Sequence, residues 1–403
     1  MNKWIFLCFL SLFYGCEDEQ AVSKLEDTVR DTQPVQDCVA SDSSAPSMQG
    51  QLEIKGEASQ LNSPEISWSE AYDDCEFSHY EIGLGTKPGS VDVSQYQNIG
   101  QELNFKYTQL NLDYTQKYYV SVRAVDKKGN ISTPKNSKKF SPWDVKSLSH
   151  LVLRLDSSDK SSLVDNNDLP GDDTNFNRLV SKWLDRSESA NQHDFYSTQT
   201  NSAPQFDLIH GGLSFANSHL TVADHADLNL GIVSQRTIVT SIRTGINTSG
   251  RQVVYEEGGS ARGINIYIEE GKLICGFWNI VNDGDGAQAW SSIETTVEAE
   301  KNYNIVLRFD YSHFQDKNST EGTVECFVNS QTIGTIDTTS RLHPHSGDVA
   351  IGAVKNDSYF GDGAFNGDGM NFSGNIYELI IYNKVHKLDD LQKVMKYFDL
   401  KWL

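Results

Sequence analysis

Residues Tyr118–Val125 read YYVSVRAV, with Tyr118, Val120, Val122 and Ala124 on one face and Tyr119, Ser121, Arg123 and Val125 on the other. Such period-two alternation predicts a strand. The same signal occurs earlier at Gln51–Lys55, Glu65–Ser69 and His79–Leu84. Beyond residue 145 it returns at Leu151–Leu155, Thr237–Arg243, Gln252–Glu256, Ile264–Ile268, Lys272–Trp278, Tyr303–Phe309, Thr323–Val328 and Asn375–Tyr382. Asp126–Asn130 (DKKGN) predicts a turn, and Glu269-Glu270-Gly271 a short hairpin connection. No repeating strand–helix alternation appears, so stacked antiparallel sheets are the natural solution. One helix is predicted near the end. Leu388, Leu391, Val394, Met395 and Phe398 form one apolar stripe, with Asp389 and Asp390 near its start and Lys393 and Lys396 further along.

The N-terminus follows another pattern. Lys3 precedes an apolar run, WIFLCFLSLFY, at Trp4–Tyr14. That run suits an export signal and falls short of the about 20 residues that span a bilayer. It ends at Leu12-Phe13-Tyr14-Gly15-Cys16, before Glu17-Asp18-Glu19. This ending resembles the lipobox of bacterial lipoproteins. Gly15 and Cys16 match, while Phe13 and Tyr14 depart from the usual aliphatic and small residues. The resemblance implies a signal peptide at 1–15 and lipid attachment at Cys16. It also implies residence in the bacterial cell envelope, at the outer membrane or cell surface, with the membrane contacted through the anchor only. Residues 16–47 are acidic and polar without sustained periodicity, as in a tether.

Charge narrows the partners. The 403 residues carry 55 acidic and 34 basic side chains, a formal net charge of −21. Nucleic-acid binding needs clustered Lys and Arg and is excluded as an expectation. An acidic surface serves solubility or divalent-cation binding.

Residues 48–142 resemble a fibronectin type III module. Trp68 in EISWSEAYDD stands at the second-strand tryptophan, and Leu112 precedes Tyr118 by six residues. The resemblance implies a tyrosine corner at Tyr118 and a spacer or adhesion role. Residues 145–403 resemble a laminin-G-like, concanavalin A-like jelly roll. LVLRLD at 151–156, GGLSF at 211–215, RGINIYI at 262–268 and FSGNIYELIIYN at 372–383 carry the likeness. Asn329-Ser330 departs from the Asn-Gly that the family commonly places in a hairpin. Ser330 tolerates a left-handed backbone less well, so a turn of another type is expected there. The expected fold class is thus all-β: a fibronectin type III-like sandwich, then a larger concanavalin A-like jelly roll ending in a short helix.

Two disulfide questions arise in an exported chain. Cys38 and Cys75 flank the first module's opening strands at a shared end, so they are expected to pair. Cys275 lines up with Leu273 and Phe277, and Cys326 with Val324 and Val328. These two are expected as buried thiols that pack as small hydrophobes, with a bridge between them as the alternative.

Two glycine-rich acidic loops, around Asp283 and Asp285 and around Asp362 and Asp368, are candidates for calcium. Aromatic residues flank them: Trp278 and Trp290 near the first, Tyr359, Phe360 and Phe365 near the second, with Asn366 adjacent. Sugar CH faces pack on aromatic rings while amides and carboxylates bind hydroxyls, so these six are candidate ligand-binding residues. No catalytic constellation is found. Glycosidases of the concanavalin fold place their acids as Glu-x-Asp-x-Glu on one strand, and no such run occurs. Glu256 and Glu257 are adjacent and point to opposite faces. Glu378 reads as a hydrogen-bonded structural acid, and His343 and His345 as surface residues. The expected function is a non-enzymatic surface lipoprotein whose jelly-roll loops bind glycan or an extracellular protein. The alternatives are a structural envelope protein and, more remotely, a glycoside hydrolase.

Overall fold

The computed structural model describes residues 41–54, 63–108, 110, 112–113, 116–140, 142–171, 179–198, 203–284, 286–312, 322–338 and 340–403. The expected signal peptide, Cys16, Cys38, most of the expected tether and Asp285 lie outside them. Among the described residues no helix is long and apolar enough to cross a membrane.

The first module is a small β-sandwich. Glu53–Ile54, Glu65–Ser67 and Asn104–Lys106 form one sheet, and Ser94–Asn98, Phe77–Gly85, Tyr119–Asp126 and Lys135–Asn136 form another. Ile66, Trp68, Tyr80, Ile82, Val120 and Val122 pack between them. Trp68 meets Tyr80 edge-on at 5.5 Å. The Tyr118 hydroxyl accepts the Asp113 N–H at 2.9 Å, pinning the chain before its strand. Asp126 accepts the Gly129 and Asn130 N–H groups at 2.7 and 2.8 Å and so closes the expected turn. Cys75 is one half of a disulfide.

The larger sandwich has two antiparallel sheets. One runs in the order Gln205–Phe206, Leu213–Phe215, Gly374–Tyr382, Gln235–Thr244, Asn302–Asp310, Gly322–Val328 and Gln331–Thr338, with Leu151–Asp156 also paired to Gly374–Tyr382. Among the described residues it has eight strands, and the facing sheet has nine. That facing sheet runs Leu163–Asp165, Val180–Trp183, Phe195–Tyr196, Leu220–Val222, Val349–Ile351, Gln252–Gly258, Arg262–Glu269, Lys272–Asn279 and Gln288–Thr296. Neighbours far apart in sequence show that the chain crosses repeatedly from sheet to sheet. The interior holds Trp183, Phe195, Phe215, Ile238, Phe277, Phe309 and Leu379.

Cys275 and Cys326 are not thiols. They form a disulfide across this interior, with Cα atoms 6.7 Å apart. Alternation shows that each points inward, but only the crossovers put one in each sheet, face to face. The Asn329-Ser330 expectation is also corrected. Both residues have positive φ, 47° and 62°, as a two-residue type I′ hairpin requires. Ser330 bears that conformation because its hydroxyl is tied to Asp399 at 2.5 Å, while Asn329 accepts the Asn304 N–H at 2.8 Å. His343 and His345 are buried rather than exposed, and the His345 N–H donates to Asn229 O at 2.9 Å, which ties their loop to the segment before Gln235–Thr244.

The helix Leu388–Trp402 runs a turn beyond its predicted stripe. It lays Leu391, Val394, Met395 and Phe398 on Val239, Val306, Phe327 and Ile380, the outward side chains of the eight-stranded sheet. Burying each such side chain contributes roughly 1.5–3 kcal/mol. Under the helix, Glu378 is fully buried and accepts from Arg154 Nε at 3.3 Å, the Tyr397 hydroxyl at 3.1 Å, Lys401 Nζ at 2.8 Å and Trp402 Nε1 at 2.9 Å. Its lone pairs are occupied by this ring of donors, as a structural acid requires.

Candidate functional site

The outer face of the nine-stranded sheet carries the aromatic residues singled out above. Along Lys272–Asn279, Leu273, Cys275 and Phe277 point inward, which leaves Ile274, Gly276 and Trp278 outward. A hairpin of Asp357–Phe360 and Gly363–Asn366 folds over this face. Asn265 fastens it, donating to Tyr359 O at 3.0 Å and Ser358 Oγ at 3.3 Å. The sequence alone marked this segment as an acidic loop. Its strands are four residues each, too short for a clear alternation signal.

Trp290 is the centre of the cluster. It lies over Gly276, where an added Cβ would come within 2.1 Å of the indole. Any larger residue at that position displaces the ring. Trp278 is 5.8 Å from Trp290 by ring centroids, Tyr267 and Tyr359 are each 6.3 Å away, and Phe360 is 6.4 Å away. Tyr267 meets Phe360 edge-on at 5.1 Å.

The six candidate ligand-binding residues divide by burial. Trp290, Tyr359 and Phe365 are half-buried, and Asn366 is exposed. Trp278 and Phe360 are fully buried. The Trp278 indole spends its N–H on Gly259 O at 3.0 Å. Neither can offer a ring face to a ligand in solution, because the hairpin and neighbouring strands cover both. This corrects the expectation for those two residues.

The three described acidic candidates each pair with a different cation. Asp283 accepts from Arg262 Nε at 2.9 Å and Nη2 at 2.5 Å. Asp362 accepts from Arg251 Nη1 and Nη2, both at 3.1 Å. Asp368 pairs with Lys355. In each case the hydrogen bond from that cation holds the carboxyl below its usual range. Arg251 also stands over the Phe360 ring, with Cζ 4.3 Å from the centroid. The rim therefore offers half-exposed rings beside an amide, a carboxylate and a guanidinium.

Arg251 and Tyr267 are the residues that sequence reasoning missed. One signal was present. In RGINIYIE the positions Asn265, Tyr267 and Glu269 alternate against apolar Ile264, Ile266 and Ile268, which marks a polar-capable outer face. Beneath the rim, Glu256 lies opposite Asn265 in register and is fully buried. Burial first, then the neighbouring Glu257 carboxylate, pushes its carboxyl well above the usual range. Glu257 points the other way, into the interior, where it pairs with Arg236. The two glutamates therefore serve separate surroundings.

No protein-family model matches this chain, and no curated protein matches it. Among solved structures, it is similar to the binding domain of botulinum neurotoxin DC in complex with SialylT, at 12% identity over 62% of this chain and 51% of that one, with a TM-score of 0.40. The receptor binding domain of botulinum neurotoxin D is similar at 11% identity over 61% and 52%, with a TM-score of 0.40. The carbohydrate-binding module CBM40 of the Ruminococcus gnavus IT-sialidase, bound to α2,3 sialyllactose, is similar at 18% identity over 40% and 83%, with a TM-score of 0.30. The chain spans about half the length of the toxin chains it matches.

Proposed function

We propose that this protein is a lipid-anchored component of the bacterial cell surface whose larger sandwich binds glycan at the Trp290 rim. The observation that carries the reading is the half-exposed Trp290–Tyr359 pair, 6.3 Å apart, beside exposed Asn366 and the Arg251–Asp362 pair. A pyranose offers a CH face to such rings and hydroxyls to such polar groups. The rings are held in place by Gly276 and by the hairpin, so little side-chain entropy is lost on binding. The N-terminal run ending at Cys16 supplies the anchor, and the first sandwich serves as a spacer.

A calcium ion would have to displace Arg262, Arg251 or Lys355 to gain the rim carboxylates. Glycan binding at the rim therefore needs no calcium. A glycan array followed by calorimetry, with and without a chelator, tests it. Saturable binding that survives chelation and weakens in Trp290→Ala is expected. Absence of binding to every glycan, or binding indifferent to Trp290, rules the rim out as the site.

A further inference from the structure

Two loops at the far side of the nine-stranded sheet bring together His193, His225 and Asp227. One donor atom from each lies within 4.8 Å of the others. His193 precedes the strand Phe195–Tyr196, and the other two follow Leu220–Val222. The imidazole centroids are 4.9 Å apart. His225 Nδ1 contacts Asp227 Oδ1, and His193 Nε2 lies 2.8 Å from that same oxygen.

His193 is almost completely buried, and its Nε2 lies 2.8 Å from Asp227 Oδ1, an oxygen that His225 Nδ1 also contacts. Two imidazole nitrogens thus crowd one carboxylate oxygen, where buried polar groups usually have separate partners. A cation seated between the three takes both nitrogens and the carboxylate as ligands.

The surrounding chain holds His193 and Asp227 in place. Asp185 accepts the His193 N–H at 3.1 Å. Arg236 and Asn383 donate to Asp227 O at 3.1 and 2.6 Å, and Asn191 donates to Asp227 Oδ2 at 2.9 Å. His225 and Asp227 keep 40% and 24% side-chain exposure, so water reaches the cluster.

From this we infer that His193 Nε2, His225 Nδ1 and Asp227 bind one divalent transition cation of the zinc class, with water completing the shell. Tetrahedral ligands about 2.1 Å from zinc stand about 3.4 Å apart, so a movement of about one ångström by half-exposed His225, and a smaller one at His193, opens the cluster to the ion. Two imidazoles select against calcium, which takes oxygen ligands. The site shares no residue with the aromatic rim.

The test is titration of the chelator-treated full chain with Co²⁺, followed by visible absorption, with Zn²⁺ and Ca²⁺ as competitors. One equivalent of Co²⁺ is expected to bind, to be displaced by Zn²⁺ and to resist excess Ca²⁺. Zn²⁺ should also raise the melting temperature. His225→Ala, at an accessible position, and Asp227→Asn should each weaken binding at least tenfold. If His193→Ala fails to fold, those two variants still decide the matter. No saturable binding, binding unchanged in both variants, or displacement by Ca²⁺ as readily as by Zn²⁺ overturns the assignment.

Discussion

Arg236 and Glu257 form an ion pair across the interior of the larger sandwich, one from each sheet, and neither side chain is exposed. The Tyr255 hydroxyl donates to Glu257 Oε2 at 2.7 Å. Arg236 Nη2 donates to the Asp227 and Leu228 carbonyls at 3.1 and 2.6 Å. One buried guanidinium thus ties both sheets to the loop that carries His225 and Asp227.

Removing one partner leaves a buried charge uncompensated. Glu257→Gln is expected to destabilise the protein by about 3–5 kcal/mol. A lowered urea midpoint with an unchanged slope is the signature. A loss below about 1 kcal/mol would mean that the pair is not needed to join the sheets.

The Cys275–Cys326 bridge joins positions 51 residues apart. Chain entropy alone puts its contribution at about 4 kcal/mol. The double variant Cys275→Ala/Cys326→Ala should unfold at lower denaturant, and a reducing agent should lower the wild-type midpoint without affecting the variant's response at this bridge.

In the folded state burial, then the neighbouring Glu257 carboxylate, raises the Glu256 carboxyl well above the usual range and so favours its protonated form. In the unfolded chain it ionises near its ordinary value of about 4.3. Below that pH both states hold the proton and the group has no effect on stability. As pH rises above it, only the unfolded state releases the proton, so stability falls. Glu256→Gln is expected to be more stable than wild type at pH 7 to 8 and nearly equal to it near pH 4. Chemical denaturation across that range measures it; parallel pH profiles for the two proteins would contradict the buried neutral acid.

Trp290 and Trp278 should separate binding from stability. Trp290→Ala removes a half-exposed ring and is expected to weaken glycan binding about tenfold. Trp278→Ala empties a fully buried volume and is expected to cost about 3–5 kcal/mol of stability. Calorimetry on the first and thermal melting on the second give the comparison.

Much of the fold was legible because strand signals are local. Tyr118 to Val125 show their two faces within eight residues, and Tyr118, Val120, Val122 and Ala124 are buried together as the alternation requires. The helix stripe from Leu388 to Phe398 was equally clear, since four of its five members pack on the sheet. Less of the site was legible. Trp278 and Trp290 carry the same side chain on neighbouring strands of the same face, yet one is covered and the other reaches water.

The sequence by itself determined the all-β class, the two-sandwich order, the closing helix and the inward face of each long strand. Each of these follows from side-chain spacing along one segment. Only the tertiary structure decided that Cys326 faces Cys275, that Arg236 meets Glu257, that a hairpin roofs Trp278, and that His193 joins His225 and Asp227. Those relationships depend on strand order and register between segments far apart in the chain. A period-two pattern says which way a side chain points, but it carries no information about what stands opposite.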